Sequence, residues 1–191
     1  VTFRIRGVPV LWLPWGAFPV KLARQTGFLL PSFSSNHYKG FTLTVPFYWA
    51  INRWSDATVY LNGMTKAGFQ PELEYRAVLN PASEGTIHGT WFHDQVSHTD
   101  RWRVWGTNTW LSGRWTANAR WDIPSDNQYY VDLTDSDYLR SQRQAQATGF
   151  VGLSGGDWSG ELSATWYRET GNPPNQGNTV QRLPESTVTL L

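Results

Sequence analysis

Five arginines stand where they could act on a ligand: Arg76, Arg101, Arg103, Arg114 and Arg120. Each falls on the polar phase of an alternating segment, so their guanidinium groups should project from one side of a sheet. The planar guanidinium fork matches phosphate and carboxylate geometry, which suits phosphorylated or carboxylated amphiphiles. A hydrated wall of mixed charge is an equal reading, because Glu72, Glu74, His88, Asp122 and Glu161 share those faces. Other chemistry finds less support. His88 and His93 are five residues apart on one strand, so they face opposite ways and cannot share a metal. His93 and His98 flank a loop. Asp132, Asp135 and Asp137 could gather a divalent cation in a longer loop, although loop solubility explains them more plainly. There is no cysteine, and no G-x-S-x-G, phosphate loop or H-E-x-x-H motif. We therefore expect no catalytic residue, no metal and no cofactor.

The elements that carry these arginines alternate with period two. In "RWRVWGTNTW", Trp102, Val104 and Trp110 oppose Arg101, Arg103 and Thr107. In "RWTANARWD", Trp115, Ala117, Ala119 and Trp121 oppose Arg114, Thr116, Asn118, Arg120 and Asp122. Aromatic residues recur at even offsets on the apolar faces. Phe41 and Trp49, Trp102 and Trp110, and Trp158 and Trp166 are eight apart, and Trp115 and Trp121 are six apart. Eight residues at roughly 3.3 Å span about 26 Å, or about 20 Å of height after a tilt of about 40°. This predicts two aromatic girdles with lipid between them, on an antiparallel transmembrane β-barrel segment.

Composition agrees with that reading. The 191 residues include 12 Trp, yet mean hydropathy is −0.45. Abundant Trp and Tyr at moderate polarity suit a surface that meets both lipid and water. A net charge of +1 gives no support for nucleic acid or a polybasic membrane surface. No apolar run approaches a membrane helix. The chain begins in "VTFRIR" and stops in "STVTLL", both strand-like, so we read it as an internal piece of a longer protein.

The two longest connections fall on one side of the sheet, and those on the other stay at six residues or fewer. Those at 50–55, 80–85, 111–113 and 155–156 are short, while 123–146 and 169–186, on the other side, are long. Outer-membrane barrels have this asymmetry, with the short turns periplasmic and the long loops extracellular. About ten strands are expected over 27–191, and no helix shows a convincing cap and period. In "GFLLPSFSSNHYKGFTLTVPFYW", two neighbouring strands each carry a proline, Pro31 and Pro46. Proline has no N–H to give to a ladder. Residues 1–26 hold Pro9, Pro14 and Pro19 among apolar residues and read as short strands followed by a proline-stiffened connector.

Three stretches, "VPVLWLPWGAFPV", "RQTGFLLPSFSSNHYKGFTLTVPFYWAIN" and "DATVYLNGMTKAGFQPELEYR", resemble the LptD family of lipopolysaccharide-assembly proteins in order and spacing. The family patterns are P-x-x-Y-x-P-Y, R-x-[ST]-G-[FL]-L-x-P and [LV]-P-Y-Y-W-N-I-A-P-N-x-D. Trp12 and Trp15 stand where the family usually has Tyr, and "FYWAINRWSD" lacks the family's turn Asn and Pro. "IPSDNQYYVDL" is similar to its SD-x-x-Y-x-x-D loop.

The resemblance implies that residues 1–26 end a periplasmic β-jellyroll, with a hinge at Pro14 and Pro19. Residues 27–191 would be the N-terminal part of an outer-membrane barrel of about 26 strands. It implies insertion of lipopolysaccharide into the outer leaflet without enzymatic activity. Acyl chains would leave through a lateral gate between the first and last barrel strands, with Pro31 and Pro46 as gate residues, while the sugars pass through the polar lumen. The implied partners are an LptE-like plug lipoprotein, an LptA-like jellyroll bridge protein and outer-membrane lipids. A porin or receptor-type barrel for small solutes and a soluble, Trp-rich, carbohydrate-binding β-sandwich are the alternatives.

Overall fold

The computed structural model describes residues 2–5, 8–12, 24–171 and 181–190. Strands β1 (Thr2–Ile5) and β2 (Val8–Trp12) pair antiparallel as a separate two-stranded sheet. Pro14 and Pro19, the expected hinge, lie outside the described residues. The main sheet is a meander. It runs β3 (Gly27–Phe28), β4 (Ser32–Asn36), β5 (Gly40–Trp49), β6 (Ser55–Met64), β7 (Gly68–Asn80), β8 (Ser83–Asp94), β9 (Thr99–Ser112), β10 (Trp115–Pro124), β11 (Gln144–Ser154), β12 (Trp158–Glu169) and β13 (Arg182–Leu190). Each of β5 to β13 pairs antiparallel with its sequence neighbours, and both β3 and β4 pair with β5. Counted as one interrupted stave, β3 and β4 bring the total to ten staves. Among the described residues the sheet does not close on itself.

The turns fall into two sets. At one end the links are 50–54, 81–82, 113–114 and 155–157. At the other lie 37–39, 65–67, 95–98, 125–143 and the chain from β12 to β13. Local chemistry sets the tight ones. Asn36 Oδ1 accepts from the N–H groups of Tyr38 (2.7 Å) and Lys39 (2.9 Å), and Gly40 follows at φ 73°. The turn after β5 lacks the family's Asn-Ile-Ala-Pro, but Asn52 closes it by accepting from Trp54 and Ser55. Against expectation, the long loop is partly helical, with α1 (Tyr129–Leu133) and α2 (Asp137–Ser141). At five residues each they are too short to leave a periodic signature in the sequence.

The distribution of burial is inverted relative to a water-soluble domain. Leu43, Leu73, Ile87, Val151 and Leu162 are exposed on one face. Thr42, Asp56, Thr58, Thr90, Arg101 and Arg103 are buried on the other. A sandwich would hide the apolar face under a second sheet, whereas here most of its large side chains are exposed and no second sheet covers it among the described residues. The buried apolar cluster of Met64, Ala67, Phe92, Tyr129, Tyr130, Leu133 and Ala145 sits where the α1 loop packs on the sheet.

Candidate functional site

The edge at β3 and β4 contains a break. Phe28 pairs with Phe47 and Ser32 with Thr44, so the first stave takes four steps where β5 takes three. The extra residue makes a bulge at Leu29, Leu30 and Pro31, all outside the ladder. The N–H of Leu29 donates to the Pro46 carbonyl at 2.9 Å. In an antiparallel ladder a residue turns its N–H and C=O to the same neighbour. The absent donor of Pro46 therefore falls on the side of the first stave. On its other side β5 pairs with β6 without interruption from Thr42 to Trp49. Pro46 thus removes a donor from the junction with the first stave and spares the junction with β6, and Pro31 lies in the bulge of that same first stave. Phe28, Leu30 and Phe33 are 71%, 79% and 66% exposed along this edge.

The polar face is laced with ion pairs. Arg101 and Asp94 have side chains only 4% and 0% exposed and lie 3.2 Å apart. The same guanidinium reaches Asp126 (2.8 Å) and Asp132 (2.9 Å), while the Tyr38 hydroxyl donates to Asp94 (2.7 Å). Arg103 grips Asp122 through two bonds of 2.7 Å, with its guanidinium 4.2 Å from the Trp105 ring centre. Arg76 pairs with Asp56 (2.8 Å) and Glu74 (3.4 Å), and Arg24 also pairs with Asp56.

The remaining two predicted arginines differ from these three. Arg114 lies in the exposed turn between β9 and β10. Arg120, on the polar face of β10 opposite Thr107 and Thr148, has no side-chain hydrogen bond or ion pair among the described residues.

The long loop crosses the polar face. Its Tyr129, Tyr130 and Leu133 are buried, and Gln70 Nε2 donates to the Tyr129 hydroxyl at 3.1 Å. Burial pushes both tyrosine hydroxyls well above their ordinary value. At its far end Asp135 accepts from Lys39 (2.7 Å) and Ser34 (3.3 Å). Two of the three loop aspartates are engaged by cationic side chains. Asp132 goes to Arg101 and Asp135 to Lys39, and the described residues contain no group of three or more metal-ligating side chains.

Burial alone would raise the Asp126 carboxyl, but hydrogen bonds from Arg101 and Ser125 outweigh it and hold the group below its usual range. For Asp132 burial prevails over the pairing with Arg101 and the group is raised.

The eight predicted girdle aromatics all lie on the apolar face. Phe41, Trp49, Trp102, Trp110, Trp115, Trp158 and Trp166 are exposed there. Trp121 is half-buried because it lies over Gly106, where an added Cβ would stand 2.7 Å from the indole. Trp91 directly opposes Trp102 on the same face. Trp105 points the other way and stacks on His88 at 4.8 Å. Its odd position beside Arg103 was the available signal for its orientation.

An antiparallel meander with a bare apolar face, aromatics toward both ends and a charged opposite face defines the wall of a transmembrane β-barrel of the outer-membrane type. The profile described as "LptD protein" matches residues 1–101, and that described as "LPS transport system D" matches residues 99–190. "LPS-assembly protein LptD" of Pseudomonas aeruginosa (strain LESB58) is 33% identical over 195 residues, covering 97% of this chain and 21% of the relative. "LPS-assembly protein LptD" of Aliivibrio fischeri (strain ATCC 700601 / ES114) is 33% identical over 160 residues, covering 82% of this chain and 20% of the relative. The chain belongs to the LptD family. It spans about a fifth of the length of these curated relatives.

Proposed function

We propose that this segment forms part of an outer-membrane translocon that inserts lipopolysaccharide into the outer leaflet through a lateral opening beside its first stave. The observation that carries the reading is the weakened junction at Pro31 and Pro46. Opening a membrane barrel requires breaking backbone hydrogen bonds in lipid, where unsatisfied groups are costly. A seam with an interrupted stave and an absent donor lowers that cost locally. Acyl chains would leave through the seam. The sugars and phosphates would stay on the polar face, which lines a lumen, and no enzymatic step is involved.

The remaining assignments follow from the same reading. Phe41, Trp49, Trp102, Trp110, Trp115, Trp121, Trp158 and Trp166 face lipid. The turns at 50–54, 81–82, 113–114 and 155–157 are periplasmic, and the long loops are extracellular. Strands β1 and β2 would be the end of a jellyroll, where an LptA-like protein would deliver lipopolysaccharide. An LptE-like lipoprotein would plug the complete barrel. The test is photocrosslinking in the full-length protein from Leu30 and Phe33. Lipopolysaccharide adducts are expected at both positions. A complete lack of adducts along the first stave would sink the reading.

A further inference from the structure

Between α2 and the polar faces of β9, β10 and β11 lies a cavity of about 850 Å³. Its floor is Trp105, held rigid by its stack on His88 and by Arg103 over its ring. Arg120 enters from β10, Gln144 and Gln146 from β11, and Gln142 from the end of the loop. The side chains of Arg120, Gln142, Gln144 and Gln146 have no hydrogen-bond partner among the described residues. Tyr138 on α2, largely exposed, offers an aromatic ring at the mouth.

Arg76, Arg101 and Arg103 are neutralised by carboxylates. Arg120 is different. Its lumen-side neighbours across the ladder are Thr107 and Thr148, and the nearest acid along β10, Asp122, is taken by Arg103. Three amides supply paired donors and acceptors of the kind that match vicinal hydroxyls, and one uncompensated guanidinium supplies charge for an anion.

We propose that this cavity is a saccharide subsite for the phosphorylated or carboxylated sugars of the transported glycolipid. Arg120 is its cation and Gln142, Gln144 and Gln146 are its hydroxyl contacts. The assignment rests on the translocation reading. It adds that the sugar portion is held on the β9–β11 wall, under the long loop, rather than passing freely.

The test places a photoreactive residue at Gln146 of the full-length protein in cells and scores lipopolysaccharide adducts, alongside the same probe at Phe33 on the seam. Adducts are expected at both positions. Arg120→Gln and Arg120→Glu should lower the yield at 146 at least fivefold and leave the seam yield unchanged, while Arg120→Lys should retain most of it. Gln144→Ala should also lower it, by a smaller factor. Gel mobility with and without heating checks that each variant has folded. Seam adducts with none at 146, or yields at 146 indifferent to the charge at 120, would overturn the subsite and leave translocation standing. Absence of adducts at both positions would overturn both.

Discussion

Lys39 Nζ lies 2.7 Å from Asp135 Oδ2, and this contact fastens the long loop to the hairpin at the seam. Lys39 sits in the turn between β4 and β5, and Asp135 between α1 and α2. Ser34 and Asn36 add bonds to Asp135, and the Asn36 amide donates to the Asp132 carbonyl. The loop leaves the sheet at β10, crosses the faces of β6 to β9, and holds the far edge. Movement of β4 must therefore strain or release the loop.

Replacing Lys39 by Ala should loosen the loop without unfolding the wall. The ammonium is buried while the Asp135 carboxylate is half-exposed, so removing Lys39 leaves a group that water can reach. A hydrogen bond to a charged group contributes about 1.5–3 kcal/mol, and about 1.4 kcal/mol is tenfold in an equilibrium. Amide hydrogen exchange on the full-length protein should quicken by about tenfold or more over 129–141, with the β6–β9 amides unchanged. Equal quickening in the strands would contradict a local latch.

Arg101→Ala should be far more damaging. Asp94 is fully buried and would lose its cation, and Asp126 and Asp132 would lose theirs. Breaking a buried pair on one side costs about 3–5 kcal/mol. Arg114→Ala, in an exposed turn, should stay within about 0.5 kcal/mol. The temperature at which gel mobility converts from folded to unfolded compares them. A similar temperature for both variants would remove Arg101 from its central role.

Much of the wall could be read from alternation. The phase that sets Trp102 and Trp110 against Arg101 and Arg103 survives in the sheet, because a one-residue slip would carry every one of them to the wrong side. The pairing of the arginines was not legible. Asp122 is two residues from Arg120 in the same strand but bonds to Arg103 across the ladder, since register places Asp122 beside Trp105. The helices of the loop were hidden for a different reason. Tyr129, Tyr130 and Leu133 are ordered by distant partners, among them Met64, Phe92 and Gln70, and no local pattern announces a contact at that separation. The break at Pro31 was visible as an anomaly, but its direction depends on which way the Pro46 carbonyl turns.

The docked loop should resist mild acid. Asp126 is held below the ordinary aspartate value of about 3.9. Its contribution is present above that value and is lost as pH falls through its lower folded one. Asp132 is raised, so its contribution is present below the ordinary value and is lost as pH rises through the raised one. Between pH 7 and pH 5 the loop should hold or tighten slightly, and it should loosen only below about pH 4. Exchange over 125–143, corrected for the intrinsic rate, gives the profile. Asp126→Asn should remove the acid limb and Asp132→Asn the gentle rise. Loosening that begins between pH 7 and pH 5 would contradict the assignment.

The seam prolines make the last prediction. Alanine at 46 restores an N–H on the side of the first stave, where Pro46 already accepts from Leu29. One added ladder bond contributes about 0.5–1.5 kcal/mol, which slows an opening step by roughly twofold to tenfold. Alanine at 31 acts differently. It lifts the fixed φ at the bulge and lets β3 and β4 join more regularly, so its effect depends on whether the extra residue can be absorbed. Pro46→Ala should therefore slow lipopolysaccharide delivery on its own, and Pro31→Ala should add to it. The readout is the rate of surface appearance of newly made lipopolysaccharide, with gel mobility showing that the barrel remains assembled. The β5–β6 ladder is continuous past Pro46 on the other side, so Tyr60→Ala, at the partner position, serves as a control that leaves the seam donors unchanged. Delivery slowed as much by Tyr60→Ala as by Pro46→Ala would point to general stability rather than to the seam. Unchanged delivery in both proline variants would leave the gate without its physical basis.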